Sequence, residues 1–267
     1  MIGSMRSDLG AARTLLFVPG TRPDRFASAT ASGADLVIVD LEDAVPPELK
    51  ADARAQVAAH LAGGGVAAVR INAIDTPWHR EDLEAVAGRA VALVVPKAEP
   101  GAALRDLASG ATPCLALVET AVGVLGAAEV ALTPGVVRLA FGSLDLAAEL
   151  AVDPADRPAL EGARSMLVLA SAAARLPGPV DGVYGDLTDA EGLRVDAAHG
   201  RRTGFAGKLC VHPRQVPVVA EAFGLSMDEV AWATRVLAAA VDGGVVVVDG
   251  QMVDKPVLDR ARRVLDG

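Results

Sequence analysis

Short apolar runs recur along the chain, each closing on a polar or glycine-containing cluster: LLFVPG (15–20), LVIVDLED (36–43), VAAVRIN (66–72), ALVVPK (92–97), CLALVET (114–120), VVRLAFGSLD (136–145), VDGVYGD (180–186) and GKLCVHP (207–213). They are apolar at successive rather than alternate positions, the pattern of parallel strands buried on both faces. Helix-like segments stand between them at 24–32, 47–62, 80–88, 102–108, 122–131 and 157–175. The second of these has a proline entry and a glycine stop at 63–65. Strand alternating with helix predicts βαβ units, and eight units predict closure: an α/β fold of the (β/α)8 TIM-barrel type. The spacing is near even except between the sixth and seventh runs, where residues 151–158 read as an inserted surface loop.

The rhythm stops after residue 225. A helix is expected over 227–240, then a turn at 243–244, an apolar run at 245–248, a turn at 249–250 and a last helix over 256–265. The chain therefore divides into a flexible N-terminal tail (1–12), the barrel (13–225) and a C-terminal helical arm (226–267) expected to belong to the barrel's domain. Two readings of the arm stand open: a lid or arm reaching another subunit, and a simple cap on the barrel.

Composition narrows the function. A chain of 267 residues suits one barrel, and 25 basic against 34 acidic residues give a net charge of −9. Such acidity argues against a general binder of nucleic acid or anionic membrane, and an anionic ligand would need a local cationic pocket. Aromatics at 3% argue against base-stacking platforms. No apolar run reaches the roughly 18 residues of a membrane span, and residues 1–12 lack the apolar core of a secretory signal. Cys114 and Cys210 sit in apolar runs and read as buried thiols, which fits a cytoplasmic protein.

In a barrel of this kind the site is built at the strand C-termini. The polar residues there are Arg22, Arg25, Asp40, Glu42, Asp43, Arg70, Asn72, Lys97, Glu119, Ser143, Asp145, Asp186, Lys208 and His212. Glu119 and Asp145 end adjacent strands and could share one hard cation such as Mg2+ through oxygen ligands; equally they could cap the following helices. No His/Cys cluster suggests zinc. Asp40, Glu42 and Asp43 form an acidic knot that needs a nearby cation, and Arg70, one strand over, is the natural one. Arg70 could face a carboxylate or an oxyanion; the bland alternatives are an ion pair with Glu42 and helix capping by Asp43. Arg13, Arg22, Arg25, Lys97 and Lys208 could supply a cationic patch for a polyphosphate-bearing ligand.

The motifs RTLLFVPG (13–20), DLEDAV (40–45), VRIN (69–72), VPK (95–97), VET (118–120), FGSLD (141–145), GK (207–208), VHP (211–213) and GQMVD (250–254) follow one another in order. Together they resemble the citrate lyase beta-subunit-like family of the HpcH/HpaI aldolase superfamily, which includes malyl-CoA and citramalyl-CoA lyases. The resemblance runs from residue 13 to the end. It implies a TIM barrel, usually in homotrimers, and a Mg2+-dependent Claisen-type cleavage of a 3-hydroxyacyl thioester into an oxo acid and an acetyl thioester. By residue, it implies Glu119 and Asp145 as metal ligands, Arg70 for the oxo acid and oxyanion, and Gly142 and Ser143 against substrate. Glu42 and Asp43 would stand behind the metal site. Asp254 would be a catalytic aspartate offered to a neighbouring subunit, and Arg13, Arg25 and Lys97 would contact the coenzyme A or acyl-carrier thioester.

Two rivals come with it. One is a subunit whose substrate arrives on an acyl-carrier partner. The other is a class II pyruvate aldolase without coenzyme A; those enzymes carry a histidine base where Asp43 stands here. Hydrolysis of the thioester product would give a synthase-like outcome. The sequence leaves the oxo acid open among glyoxylate, pyruvate and oxaloacetate.

Overall fold

The computed structural model describes residues 9–239 and 246–266. The chain forms two compact units, Met1–Phe223 and Gly224–Gly267. The expected turn at 243–244 and residues 1–8 of the expected tail lie outside the described residues.

In the first unit eight parallel strands close into a barrel in sequence order: β1 (Thr14–Pro19), β2 (Leu36–Asp40), β3 (Ala68–Arg70), β4 (Leu93–Val95), β5 (Cys114–Val118), β6 (Val136–Phe141), β7 (Val180–Asp181) and β8 (Gly207–Cys210), with β8 pairing back onto β1. Each strand falls within, or one residue outside, an apolar run. Alternation sorts their side chains into two cores. Leu15, Ile38, Ala68, Val94, Leu115, Leu117 and Leu209 fill the barrel. Leu16, Val37, Val39, Val69, Val95, Ala116 and Leu139 pack outward against the helices. Burial on both faces is why the runs show no polar alternation.

The wide gap between β6 and β7 holds more than a loop. A helix, Ser143–Leu150, follows β6 directly; residues 151–156 then lead into the long helix Arg157–Ala173. The helix expected over 122–131 is two, Ala121–Leu125 and Ala127–Leu132, broken at Gly126. A β-carbon at Gly126 would lie 2.5 Å from the Pro100 ring, so the break lets the chain pass close to the preceding loop.

Residues 9–12, expected in the flexible tail, are packed. Leu9 and Ala12 are buried, and the fully buried Arg138 donates to both carbonyls (3.0 and 2.6 Å) and to that of Gly178 (2.9 Å). This guanidinium ties the incoming chain to the amino-terminal end of the barrel.

The second unit, expected as an extension of the barrel's domain, is a compact unit of its own. It consists of a helix (Met227–Ala239), an antiparallel pair β9 (Val246–Val248) and β10 (Gln251–Val253), and a helix Lys255–Asp266. Ala233, Val236, Val253 and Ala261 form its core, and Arg260 stacks over Trp232 at 4.7 Å. Among the described residues, no helix is long and apolar enough to cross a membrane.

Candidate active site

A cavity of about 260 Å³ opens at the carboxyl ends of the strands. Its polar wall is Asp40, Asp43, Arg70, Glu119, Ser143 and Asp145; Phe17, Phe141, Leu144, Val183, Leu209 and Val211 form an apolar wall.

Arg70 ends β3 beside Asp40, its register partner at the end of β2. The pair is bidentate: Nε donates to Asp40 Oδ1 at 2.7 Å and Nη2 to Oδ2 at 2.6 Å. Nη1 lies 3.1 Å from Glu42 Oε2 and 3.2 Å from Asp43 Oδ2. Burial opposes the guanidinium's charge, but Asp40, Glu42 and Asp43 outweigh it and raise its pKa further. Its carbon sits 4.9 Å from the Phe17 ring centroid, a cation–π arrangement that fixes the plane. Asp40 also accepts the Glu42 and Ala44 amides (2.9 and 3.1 Å), so one carboxylate both shapes the acidic loop and orients the arginine. The ion pair with Glu42 is present but secondary, and capping by Asp43 is not seen. The main partner of Arg70 is Asp40, and Asp43 contacts Arg70 instead of capping a helix.

Glu119, just after β5, is 3% exposed. Its Oε1 accepts the Lys97 amide at 2.8 Å, and Lys97 takes a left-handed backbone (φ 48°) to deliver it. Lys97 Nζ bonds Glu42 Oε1 at 2.8 Å and lies 3.9 Å from Asp145 Oδ2. Burial pushes the Glu119 pKa up to about 8, with the charges of Glu42 and Asp145 adding to it; burial likewise raises Glu42. The cap of the helix after Glu119 is Thr120, whose hydroxyl accepts the Gly123 amide, so Glu119 is not spent on capping. Asp145 lies in the first turn of Ser143–Leu150, whose leading amides have no intrahelical acceptor. Gly142 and Ser143 line the same cavity.

The donor set suits a hard cation. Five carboxylates (Asp40, Glu42, Asp43, Glu119, Asp145) share the site with two cations, Arg70 and Lys97. That excess of negative charge adds to the effect of burial on Glu119, and a divalent ion would offset it. Among the described residues no group of three His, Cys, Asp or Glu side chains is arranged for a metal. A two-carboxylate site completed by water or substrate oxygens is the arrangement magnesium accepts.

The expected carrier contacts divide. Arg25 is exposed and lines a groove of about 270 Å³ that shares Phe17, Pro19 and Val211 with the main cavity. Arg22 is held by Asp24 at 2.7 Å. Arg13 precedes β1, at the amino-terminal end of the barrel, a whole strand from the carboxylates; its amide is bound to Asp35 (2.9 Å). It does not join the site, because the motif that contains it spans the strand from one end to the other. Lys208 is also removed from any cationic patch: it is 1% exposed and paired with Asp181 (3.1 Å) and Asp196 (2.6 Å) outside the barrel interior. Asp254 belongs to the second unit, where it precedes the helix Lys255–Asp266 and accepts the Val257 amide at 3.3 Å.

Sequence reasoning missed the support behind the acidic loop. Lys50 Nζ donates to the carbonyls of Leu41 and Glu42 (both 2.7 Å) and to Asn72 Oδ1 (2.6 Å). Asn72 in turn bonds Asp82 (2.6 Å), which bonds Arg54 (2.7 Å). The available signal was a lysine at the first position of a helix, where the helix dipole disfavours a cation.

The family model described as HpcH/HpaI aldolase/citrate lyase matches residues 13–213. A citrate lyase subunit beta-like protein of Mycobacterium tuberculosis is 42% identical over 259 residues, covering 94% of this chain and 93% of that one. A (3S)-malyl-CoA thioesterase of Cereibacter sphaeroides is 38% identical over 266 residues, covering 95% and 93%. Among solved structures, the CitE protein of M. tuberculosis in complex with magnesium, acetoacetate and coenzyme A superposes with a TM-score of 0.85 at 39% identity, covering 96% and 97%.

Proposed function

Because the chain belongs to the HpcH/HpaI aldolase/citrate lyase family, a family of oxo-acid lyases, we propose that it cleaves a 3-hydroxyacyl coenzyme A thioester into an oxo acid and an acetyl thioester with Mg2+. The observation that carries this reading is the meeting of Glu119 and Asp145 with Arg70 around one cavity whose carboxylates outnumber its cations.

Glu119 and Asp145 would hold the ion. Bound there, magnesium supplies Lewis-acid stabilisation of charge on the hydroxy acid's oxygens. Arg70, fixed by Asp40 and Phe17, faces the oxygen that becomes the oxo group; a donor so placed is typically worth about 3–4 kcal/mol. Glu42 and Asp43 hold Arg70 in place. The bond between the hydroxyl-bearing carbon and the thioester α-carbon breaks, the hydroxyl oxygen gives up its proton, and the α-carbon takes one up. We assign that last proton to Asp254, presented by a neighbouring copy in a homotrimer. Gly142 and Ser143 flank the acid end of the substrate. The apolar wall excludes water from the developing enolate, and the groove at Arg25 leads the thioester arm outward; Lys97, expected among the carrier contacts, is held by Glu42 beside the metal site.

The test is a cleavage assay with malyl-CoA, citramalyl-CoA and citryl-CoA side by side, oxo acid release being followed with magnesium and with chelator. Magnesium-dependent release from one thioester supports the reading and names the substrate. Release of free coenzyme A alongside would add a thioesterase step. No release from any of them, with magnesium and pyruvate still bound, would shift the reading to a subunit served by an acyl-carrier protein.

A further inference from the structure

The acidic loop after β2 offers its carboxylates to Arg70 and Lys97, while its backbone carbonyls are taken up by a different cation. Lys50 is 6% exposed, and each of its three N–H groups has an acceptor: Leu41 O, Glu42 O and Asn72 Oδ1, at 2.7, 2.7 and 2.6 Å. The Leu41 and Glu42 carbonyls belong to the two peptide planes that flank the Glu42 α-carbon. Fixing both planes fixes the direction in which the Glu42 side chain leaves the backbone. The third acceptor, Asn72, is itself anchored, its amide group donating to Leu41 O (2.9 Å) and Asp82 Oδ2 (2.6 Å). Trp78 covers the ammonium at 5.2 Å. Burying a cation at the start of a helix is unfavourable twice over, by desolvation and by the dipole. The two loop carbonyls, Asn72 and the Trp78 ring offset both costs.

We propose that Lys50 is a positioning residue for the lyase site, acting through Glu42: it sets the Glu42 carboxylate between Arg70 Nη1 (3.1 Å) and Lys97 Nζ (2.8 Å), and so sets both cations relative to Glu119 and Asp145. This rests on the proposed function, since it concerns the same site. Lys50 touches neither the cavity wall nor the reacting atoms.

The test is a double-mutant cycle of Lys50→Met and Glu42→Gln in the full chain, read by calorimetric binding of magnesium in the presence of pyruvate. Each single variant is expected to weaken binding about tenfold, the lower end of the usual loss for residues that orient metal ligands. The double variant is expected to be no weaker than the worse single, because the second change acts on an arrangement already lost. A double variant whose loss is the product of the two singles overturns the proposal, since a lysine that merely supports the fold acts independently of Glu42. If Lys50→Met does not fold, Lys50→Arg serves in the same cycle, as a planar guanidinium cannot direct three N–H groups to these three converging acceptors. Wild-type protein that binds neither magnesium nor pyruvate would sink the functional reading and this inference with it; normal binding with an additive cycle sinks the inference alone.

Discussion

Gly142 lies against Glu119 so closely that a β-carbon at 142 would sit 2.3 Å from both Glu119 Cβ and Oε2. The carboxylate proposed to hold metal therefore occupies the space a side chain on β6's exit would need. Gly142→Ala must push Glu119 out of its place or shift the chain. We expect magnesium affinity and turnover to fall at least about tenfold, with a stability loss on the order of 1–3 kcal/mol for overpacking. Metal titration and thermal unfolding of the variant check this; unaltered magnesium binding would dismiss Glu119 as a ligand.

Asp40 and Arg70 form the most buried ion pair of the site, with side chains 2% and 12% exposed. Removing one member of a buried pair typically costs about 3–5 kcal/mol; Arg70 would keep Glu42 and Asp43, so the loss from Asp40 falls below that. Asp40→Asn is expected to lower stability and to leave at most one of the Glu42 and Ala44 amides with its acceptor. Arg70→Lys keeps a cation but cannot make the bidentate contact. It should retain most stability while losing about 10²-fold or more in kcat. Denaturant unfolding with steady-state kinetics separates the two variants, and equal kcat in Arg70→Lys and wild type would remove Arg70 from the chemistry.

The barrel was legible because its strands are buried on both faces, which leaves continuous apolar runs. The residues ending those runs, Asp40, Arg70, Glu119 and Asp145, were legible as a ring for the same reason. Less visible was anything depending on side-chain direction. Lys208 lies within β8 and Glu119 just after β5, and Lys208 turns outward to Asp196 while Glu119 meets the cavity. A shift of one residue along a strand reverses that choice. Arg13 misled for a related reason: a motif that covers a whole strand contains residues from both ends of the barrel. Lys50 went unseen because two of its three acceptors are backbone carbonyls, which carry no sequence signature.

Asp254 has a local role and a proposed catalytic one, and the two can be parted. Its carboxylate accepts the Val257 amide at the start of the last helix. Asp254→Asn keeps an N-cap acceptor and should leave that helix intact, whereas Asp254→Ala should cost about 1 kcal/mol there. Both should bind magnesium and oxo acid normally, and both should lose about 10²–10⁴-fold in turnover if the carboxylate moves the α-carbon proton. Turnover that survives in Asp254→Asn would leave Asp254 with its capping role alone.

Glu119 also predicts how the metal site answers to pH. Its pKa, about 8 in the folded metal-free chain against 4.5 ordinarily, is raised by burial and by Glu42 and Asp145. Between those values the folded chain holds a proton that the unfolded chain has released. Stability from this group is therefore fully present below about 4.5 and is lost as pH rises through 8. Burial raises Glu42 as well, in the same direction. The metal-free protein should melt at progressively lower temperature from pH 6 to pH 8, and saturating magnesium should restore part of the loss. Because the ion must displace that proton, its affinity should rise by up to about tenfold per pH unit over the same range, with close to one proton released per ion. Calorimetry in buffers of different ionisation enthalpy measures the proton count directly. A magnesium affinity that stays flat from pH 6 to pH 8 would mean that the ion binds without Glu119, and the two-carboxylate site would have to be abandoned.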